Sequence, residues 1–180
     1  MLAASDRDGR EVIKKRIALS LEVTTRALIY PHSIETYRIR AQVRLANRNT
    51  KKLEFFSQWS YPPGQEPAKP VAYDGPDKDL LTIAKVFTEG LVIAEDHSKD
   101  WYDGLSPQHR FIRHDICSVL AAPIRDPDEP DNSPIGVVSF DSNKTVAELH
   151  FDKAGVNYLA QLVADMIFPL VREFWEDLNG

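Results

Sequence analysis

The sequence predicts an α+β domain built on a central antiparallel sheet, and three observations carry that prediction. Two short apolar runs rich in β-branched residues, Cys117 to Ile124 and Ile135 to Phe140, are joined by a loop in which Pro127, Pro130 and Pro134 alternate with acids. Thr36 to Ala46 alternates apolar and polar residues with period two. Apolar stripes at helical spacing stand at both ends of the chain. At 180 residues the chain can bury a core without staples, so residues 1–180 are expected to form one domain.

The elements follow in order. Ile13, Ile17, Leu21 and Leu28 recur at helical spacing from Arg10 to Ile29, and Pro31 supplies a stop, which places an N-terminal helix within residues 1–30. In the first strand Tyr37, Ile39, Ala41, Val43 and Leu45 point one way, and Arg38, Arg40, Gln42 and Arg44 the other. Leu53 to Tyr61 reads as its partner, with Leu53, Phe55, Trp59 and Tyr61 in one register. Five prolines and two glycines between Pro62 and Asp79 predict a loop without ladder or helix. Leu80 to Thr88 predicts a short helix closed by Gly90, and Leu91 to Ala94 a brief strand. Ser98 to Asp115 has weak periodicity. After the hairpin and its solvated acidic loop, Phe151, Val156, Leu159, Val163, Met166, Leu170 and Phe174 form one stripe, so the sheet and its loops occupy 36–141 and a C-terminal helix 150–178. Phe151 should be the first core residue of that helix, which should kink at Pro169.

Composition narrows the function classes. The net charge of −5 disfavours general attraction to nucleic acid or to an anionic membrane. No run of about 18 apolar residues is present, and the charged N-terminus MLAASDRDGR lacks a signal-peptide core, so a cytosolic chain is expected. The one cysteine, Cys117, fits a reducing compartment and reads as a small core residue. Irregularly spaced His97, His109 and His114 give no metal-binding pattern, and the single glycines form no phosphate cradle.

Four fragments then carry a resemblance. SVLAAPI (Ser118 to Ile124), IGVVSFD (Ile135 to Asp141), the following Phe151 and LAQLVADMI of the last helix resemble the GAF domain family, and TIAKVFTEG followed by LVIAED matches its middle section in the same order. The resemblance implies a GAF-like antiparallel sheet of about six strands, with the N- and C-terminal helices packed on one face and a loop-covered ligand pocket on the other. It also implies a module that senses small molecules and signals through its terminal helices. SPQHRFI is similar to the bilin motif of phytochromes, but no cysteine stands just upstream of His109. Asn143, Lys144 and Phe151 resemble the start of a phosphodiesterase GAF motif, which Gly155 and Val156 then break. The GAF-fold methionine sulfoxide reductases use several cysteines, and Cys117 alone cannot close a protein disulfide.

Two constellations supply candidate ligand-binding residues. Arg38 and Arg40, with Arg44, form a basic row that reads either as a solvated strand face or as a pocket wall suited to a carboxylate or phosphate. Trp101 to Asp115 offers Trp101, Tyr102, His109, Arg110, Arg113, His114 and Asp115 just before a core strand, in a segment that the family resemblance places beside the ligand; surface capping and pairing is the plainer alternative. Asp96 and Trp59 complete the set, with no catalytic residue and no metal ligand among them.

The function expected from these readings is a non-catalytic, cytosolic sensory or regulatory domain. It would bind an unidentified small molecule, whose cofactor identity the residues leave open, and signal through terminal-helix packing as a homodimer or to a partner signalling domain, without nucleic acid or membrane. A ligand-free dimerisation or protein-interaction scaffold is the second expectation, with Phe111, Ile112 and Trp59 filling the cavity. An enzyme of unknown type is the third.

Overall fold

A computed structural model describes residues 2–30, 37–66, 69–109, 115–128 and 133–180, with side chains from Asp8 onward. The chain runs α1 (Leu2–Leu28), β1 (Ile39–Asn47), β2 (Lys52–Tyr61), β3 (Val71–Ala72), α2 (Thr82–Glu89), β4 (Ile93–Asp96), α3 (Lys99–Gly104), β5 (Ser118–Arg125), β6 (Pro134–Ser142), α4 (Val146–Leu149) and α5 (Ala154–Asn179). The strands form one six-stranded antiparallel sheet in the order β3-β2-β1-β6-β5-β4. The sequence-predicted hairpin is β5–β6, and β1 closes against β6 at the centre.

Alternation in the central strands divides the molecule into two layers. Ile39, Ala41, Val43 and Leu45 of β1, Leu120, Ala122 and Ile124 of β5, and Val138 and Phe140 of β6 face α1 and α5. There they meet Ile17 and Leu21 of α1 and Ala160, Val163, Ala164, Ile167, Val171 and Trp175 of α5. Each fully buried Leu, Ile or Phe in this layer contributes about 1.5–3 kcal/mol. The opposite face packs Ala46, Leu53, Val119, Ala121 and Val137 against Val86 of α2. That helix ends where expected, at Gly90, whose φ of 68° is the left-handed conformation glycine adopts without strain.

Several local expectations are corrected. The partner strand does not keep one register: between Val43/Ser57 and Arg44/Phe55 a bulge inserts Phe56, so Leu53 and Phe55 lie on the α2 face while Trp59 and Tyr61 lie on the helix face. Phe56 packs against Phe174 of α5, ring centres 5.1 Å apart. The proline-rich loop yields a two-residue ladder, β3, because Leu53 pairs with Val71. Phe151 is buried in the core but precedes α5, and α4, with a Thr145–Glu148 capping box, occupies the interval before it. In α5 the buried row is Ala160, Val163, Ala164, Ile167 and Val171, leaving Met166 exposed, and the helix continues through Pro169, whose ring lies on its exposed side.

The acidic loop is not simply solvated. Asp126 is 3% exposed, its Oδ1 accepts from Asp128 N at 2.9 Å, and its Oδ2 lies 3.6 Å from Arg172 of α5. By length and composition α5 is apolar enough to cross a membrane, but its Ala160–Val171 face covers the sheet.

Candidate functional site

The polar side of β1 is the largest departure from a plain strand. Its even-numbered side chains face α2 and are buried, Gln42 at 1% and Arg44 at 4% exposure, which corrects the reading of a solvated row. The cause is topological: β1 lies between β2 and β6, and the β3 loop covers its second face. Burial of guanidinium groups requires acceptors, and the neighbours supply them. Asp141 Oδ2 on β6 accepts from Arg40 Nε at 3.0 Å, from the Arg40 terminal nitrogen at 2.6 Å and from Gln42 Nε2 at 2.7 Å. Arg44 donates to Lys69 O at 2.8 Å, Leu53 O at 3.3 Å and Gln42 Oε1 at 3.3 Å. Burial, opposed by the Asp141 carboxylate, lowers the Arg44 pKa to about 10, and its Nε finds no acceptor among the described residues.

A passage leads from the surface toward this cluster. Its outer part is a hollow of about 340 Å³ lined by Arg38, Pro62, Pro63, Gly64, Gln65 and Glu66. Its inner part is a slot of about 10 Å³, room for one water-sized group, that shares Arg38 and Gln65 and reaches Arg40, Asp115, Asp141, Ser142 and Asn143. Arg38 donates to Asp115 Oδ2 at 2.5 Å, while Asn143 Oδ1 accepts from its backbone N–H at 2.8 Å. Arg38, Arg40 and Asp115 of the sequence-derived candidates thus converge on one site.

The other candidates are engaged elsewhere. Trp59 sits in the helix-side layer with the Arg26 guanidinium 6.0 Å from its ring centre. Asp96 Oδ1 accepts from Val146 N at 2.7 Å, at the start of α4. The Trp101 indole donates to Leu80 O at 2.7 Å, and Tyr102 donates its hydroxyl to Ile116 O, with burial pushing the phenol pKa up. His109 is buried against Asp77, Nδ1 to Oδ2 2.6 Å, and Ser106 donates to the same oxygen at 2.5 Å. Burial works to raise the Asp77 pKa, but the bonds from Ser106 and His109 outweigh it and hold the carboxyl below its usual range. Arg110, Arg113 and His114, with Phe111 and Ile112, lie outside the described residues. No group of three His, Cys, Asp or Glu side chains converges on a metal-sized position among the described residues.

A second polar cluster joins α2, β4 and α3. The His97 ring stacks on Trp101 at 3.7 Å and 8°, with Nε2 2.9 Å from Thr82 Oγ1, which donates to Glu95 Oε2 at 2.8 Å; Lys85 donates to the other Glu95 oxygen. Because Glu95 takes the threonine proton, His97 Nε2 carries the proton it shares with Thr82, and Nδ1 is left without a partner among the described residues. Burial lowers the His97 pKa to about 4, against the pull of the Asp141 and Glu95 carboxylates. A depressed histidine stabilises the fold fully above its unfolded value of about 6.5, and that stability is lost as pH falls toward 4. Between about pH 7 and pH 5, urea unfolding should lose about 2 kcal/mol more in the wild type than in His97→Gln; parallel pH profiles would remove this assignment.

Linear reading missed Gln42 as a hub, Asp141, Gln65 and Asn143. Asp141 did leave a signal, since an acid in an apolar strand shares the parity of Ser139 and has to find a donor.

No protein-family model matches the chain, and no curated protein matches it. Solved structures do. A type II free methionine-R-sulfoxide reductase from Thermoplasma acidophilum is 15% identical and superposes with a TM-score of 0.62 over 92% of this chain and 96% of that one. Residues 122 to 287 of a methyl-accepting chemotaxis protein are 20% identical with a TM-score of 0.51, over 89% and 98%. A structure described as the GAF domain is 15% identical with a TM-score of 0.49, over 86% and 87%. At such identities the likeness to the first two structures is one of fold, and it agrees with the six-stranded sheet and the paired terminal helices described above. By fold, the chain is an α+β domain of the kind seen in that reductase and that chemotaxis-protein segment.

Proposed function

We propose that the chain is a non-catalytic sensory or regulatory domain of the cytosol that binds a small molecule in the Arg38–Arg40 slot and transmits the binding free energy through α1 and α5. The observation that carries this reading is the passage itself, an outer hollow narrowing onto buried charged groups on the face away from the terminal helices. A ligand there acts by preferring one arrangement of the sheet and its loops, and so one packing of the helices. The output surface is apolar. Val12, Leu19 and Val23 project along one line of α1 with Tyr30 just past its end, and Tyr158, Leu162 and Met166 along α5, all exposed. Their exposure suits a stripe that is covered by a second copy in a homodimer, or by a partner domain.

Native mass spectrometry of freshly purified protein, then thermal-shift screening against nucleotides, tetrapyrroles, amino acids and 2-oxoacids, tests the sensory half. A co-purified ligand or a concentration-dependent shift is expected. For the output half, sedimentation of Leu19→Glu/Leu162→Glu should give monomers where the wild type gives dimers, with unchanged circular dichroism. The narrowness of the slot, about 10 Å³, favours a second reading, a scaffold that binds no ligand. A dimer with no response to any compound would establish it. The reductase activity of the Thermoplasma protein is not carried over, since one cysteine cannot form a protein disulfide.

A further inference from the structure

Two arginine–carboxylate pairs border the slot, and they differ in permanence. Arg40 and Asp141 are 10% and 9% exposed and locked by two bonds from one guanidinium, with a third to the carboxylate from Gln42. Arg38 and Asp115 are 48% and 37% exposed and joined by one bond of 2.5 Å. The first pair is a fixed part of the sheet, because removal of either partner strands a buried charge. The second stands at the mouth, where an ion pair is worth about 0–1 kcal/mol and exchanges readily for another of the same kind.

The charges of the slot balance, Arg38 and Arg40 against Asp115 and Asp141, and Arg44 lies behind it under the influence of the Asp141 and Glu54 carboxylates. The carbonyls of Leu53 and Lys69 and the amide of Gln42 satisfy protons of Arg44 without neutralising its charge. When Asp115 swings out, Arg38 is left without its carboxylate at the mouth of the slot, and a guanidinium fork matches a planar carboxylate. The slot is narrow, so a flat carboxylate engages Arg38 at its mouth more readily than a tetrahedral phosphate does. Glu66 lines the outer hollow, so a second negative charge on the ligand would be repelled there, while Pro62, Pro63 and Gly64 offer it apolar and backbone surface.

We propose that the slot is a site for the carboxylate of a small monocarboxylic acid, and that Asp115 is its built-in competitor. The ligand carboxylate takes the place of Asp115 on Arg38 and approaches Arg40, and the remainder of the ligand occupies the hollow. This deepens the sensory reading and rests on it. Asp115 holds Arg38 in place while the ligand is absent, so selectivity is set by what can outbid a side-chain carboxylate already at 2.5 Å.

The test uses acetate, propionate and pyruvate as probes, with inorganic phosphate and neutral acetamide as contrasts, at constant ionic strength. Thermal shift and the arginine Nε–Hε resonances of the intact chain are followed. Asp115→Asn should tighten carboxylate binding about two- to fivefold, the value of one exposed pair. Arg38→Gln should weaken it about tenfold or more, the loss of a charge-assisted contact. Both side chains are half exposed, so both variants should fold, which circular dichroism checks. The inference is overturned if Asp115→Asn leaves carboxylate affinity unchanged or reduced, if acetamide or phosphate binds as well as the carboxylates, or if no carboxylate binds either wild type or Asp115→Asn. A neutral compound that stabilises the protein independently of Arg38 would leave the sensory reading standing and remove this one alone.

Discussion

Asp141→Ala is expected to lower the unfolding free energy in urea by about 3–5 kcal/mol with little change in m value. The alanine removes the acceptor for three hydrogen bonds and the counter-charge for Arg40, while that guanidinium stays about nine-tenths buried. Arg44 worsens the deficit, because it too is stabilised by the Asp141 carboxylate and its Nε has no partner among the described residues. Removing both partners avoids the stranded charge, so Arg40→Met/Asp141→Leu should recover most of the loss. A loss below about 1 kcal/mol in the single variant would mean that the cluster is hydrated, and the buried floor of the site would have to be redrawn.

Gly136→Ala should be comparably severe for a steric reason. Gly136 stands opposite Leu45 where β6 pairs with β1, and a Cβ there would lie 2.3 Å from Arg44 O and 3.1 Å from Leu45 Cδ2. The obstacle is backbone in a central strand, so relief requires parting the two strands that hold the sheet together. A loss of about 3 kcal/mol or more is expected, a fall in melting temperature of roughly 6–12 °C for a chain of this size. Gly155→Ala is the matched control, since no atom lies within 4 Å of its added Cβ and its place in the first turn of α5 tolerates alanine. Equal melting temperatures for the two variants would sink the argument.

The layers of the fold were legible because they are written in local pattern: Ile39 to Leu45 declares a face by alternation, while Ser118 to Ile124 and Ile135 to Phe140 announce strands covered on both faces as continuous apolar runs. The candidate site was half legible. Arg38 and Arg40 were visible as a row and Asp115 as a neighbouring acid, but their convergence requires knowing that β1 is central and that Lys69 lies over Arg44. Partnerships across long separations stayed hidden, such as Arg40 with Asp141 and Trp101 with Leu80. Aromatic and histidine residues between Ser98 and His109 suggested a pocket lining, whereas Asp77 and the Leu80 carbonyl, both from the preceding loop, engage His109 and Trp101. Composition cannot separate those outcomes.

The extra residue in β2 has an arithmetical consequence. Counting along that strand, odd positions change sides at Phe56, so Leu53 belongs to one layer and Trp59 to the other although both are odd-numbered. Deleting Phe56 would make Phe55 and Ser57 neighbours and restore plain alternation, with Leu53 and Phe55 still on the α2 face and Ser57, Trp59 and Tyr61 still on the helix face. The cost would be the Phe56 ring itself and its packing against Phe174. The protein therefore reads β2 as two short words with a space between them, and the space carries as much meaning as the letters.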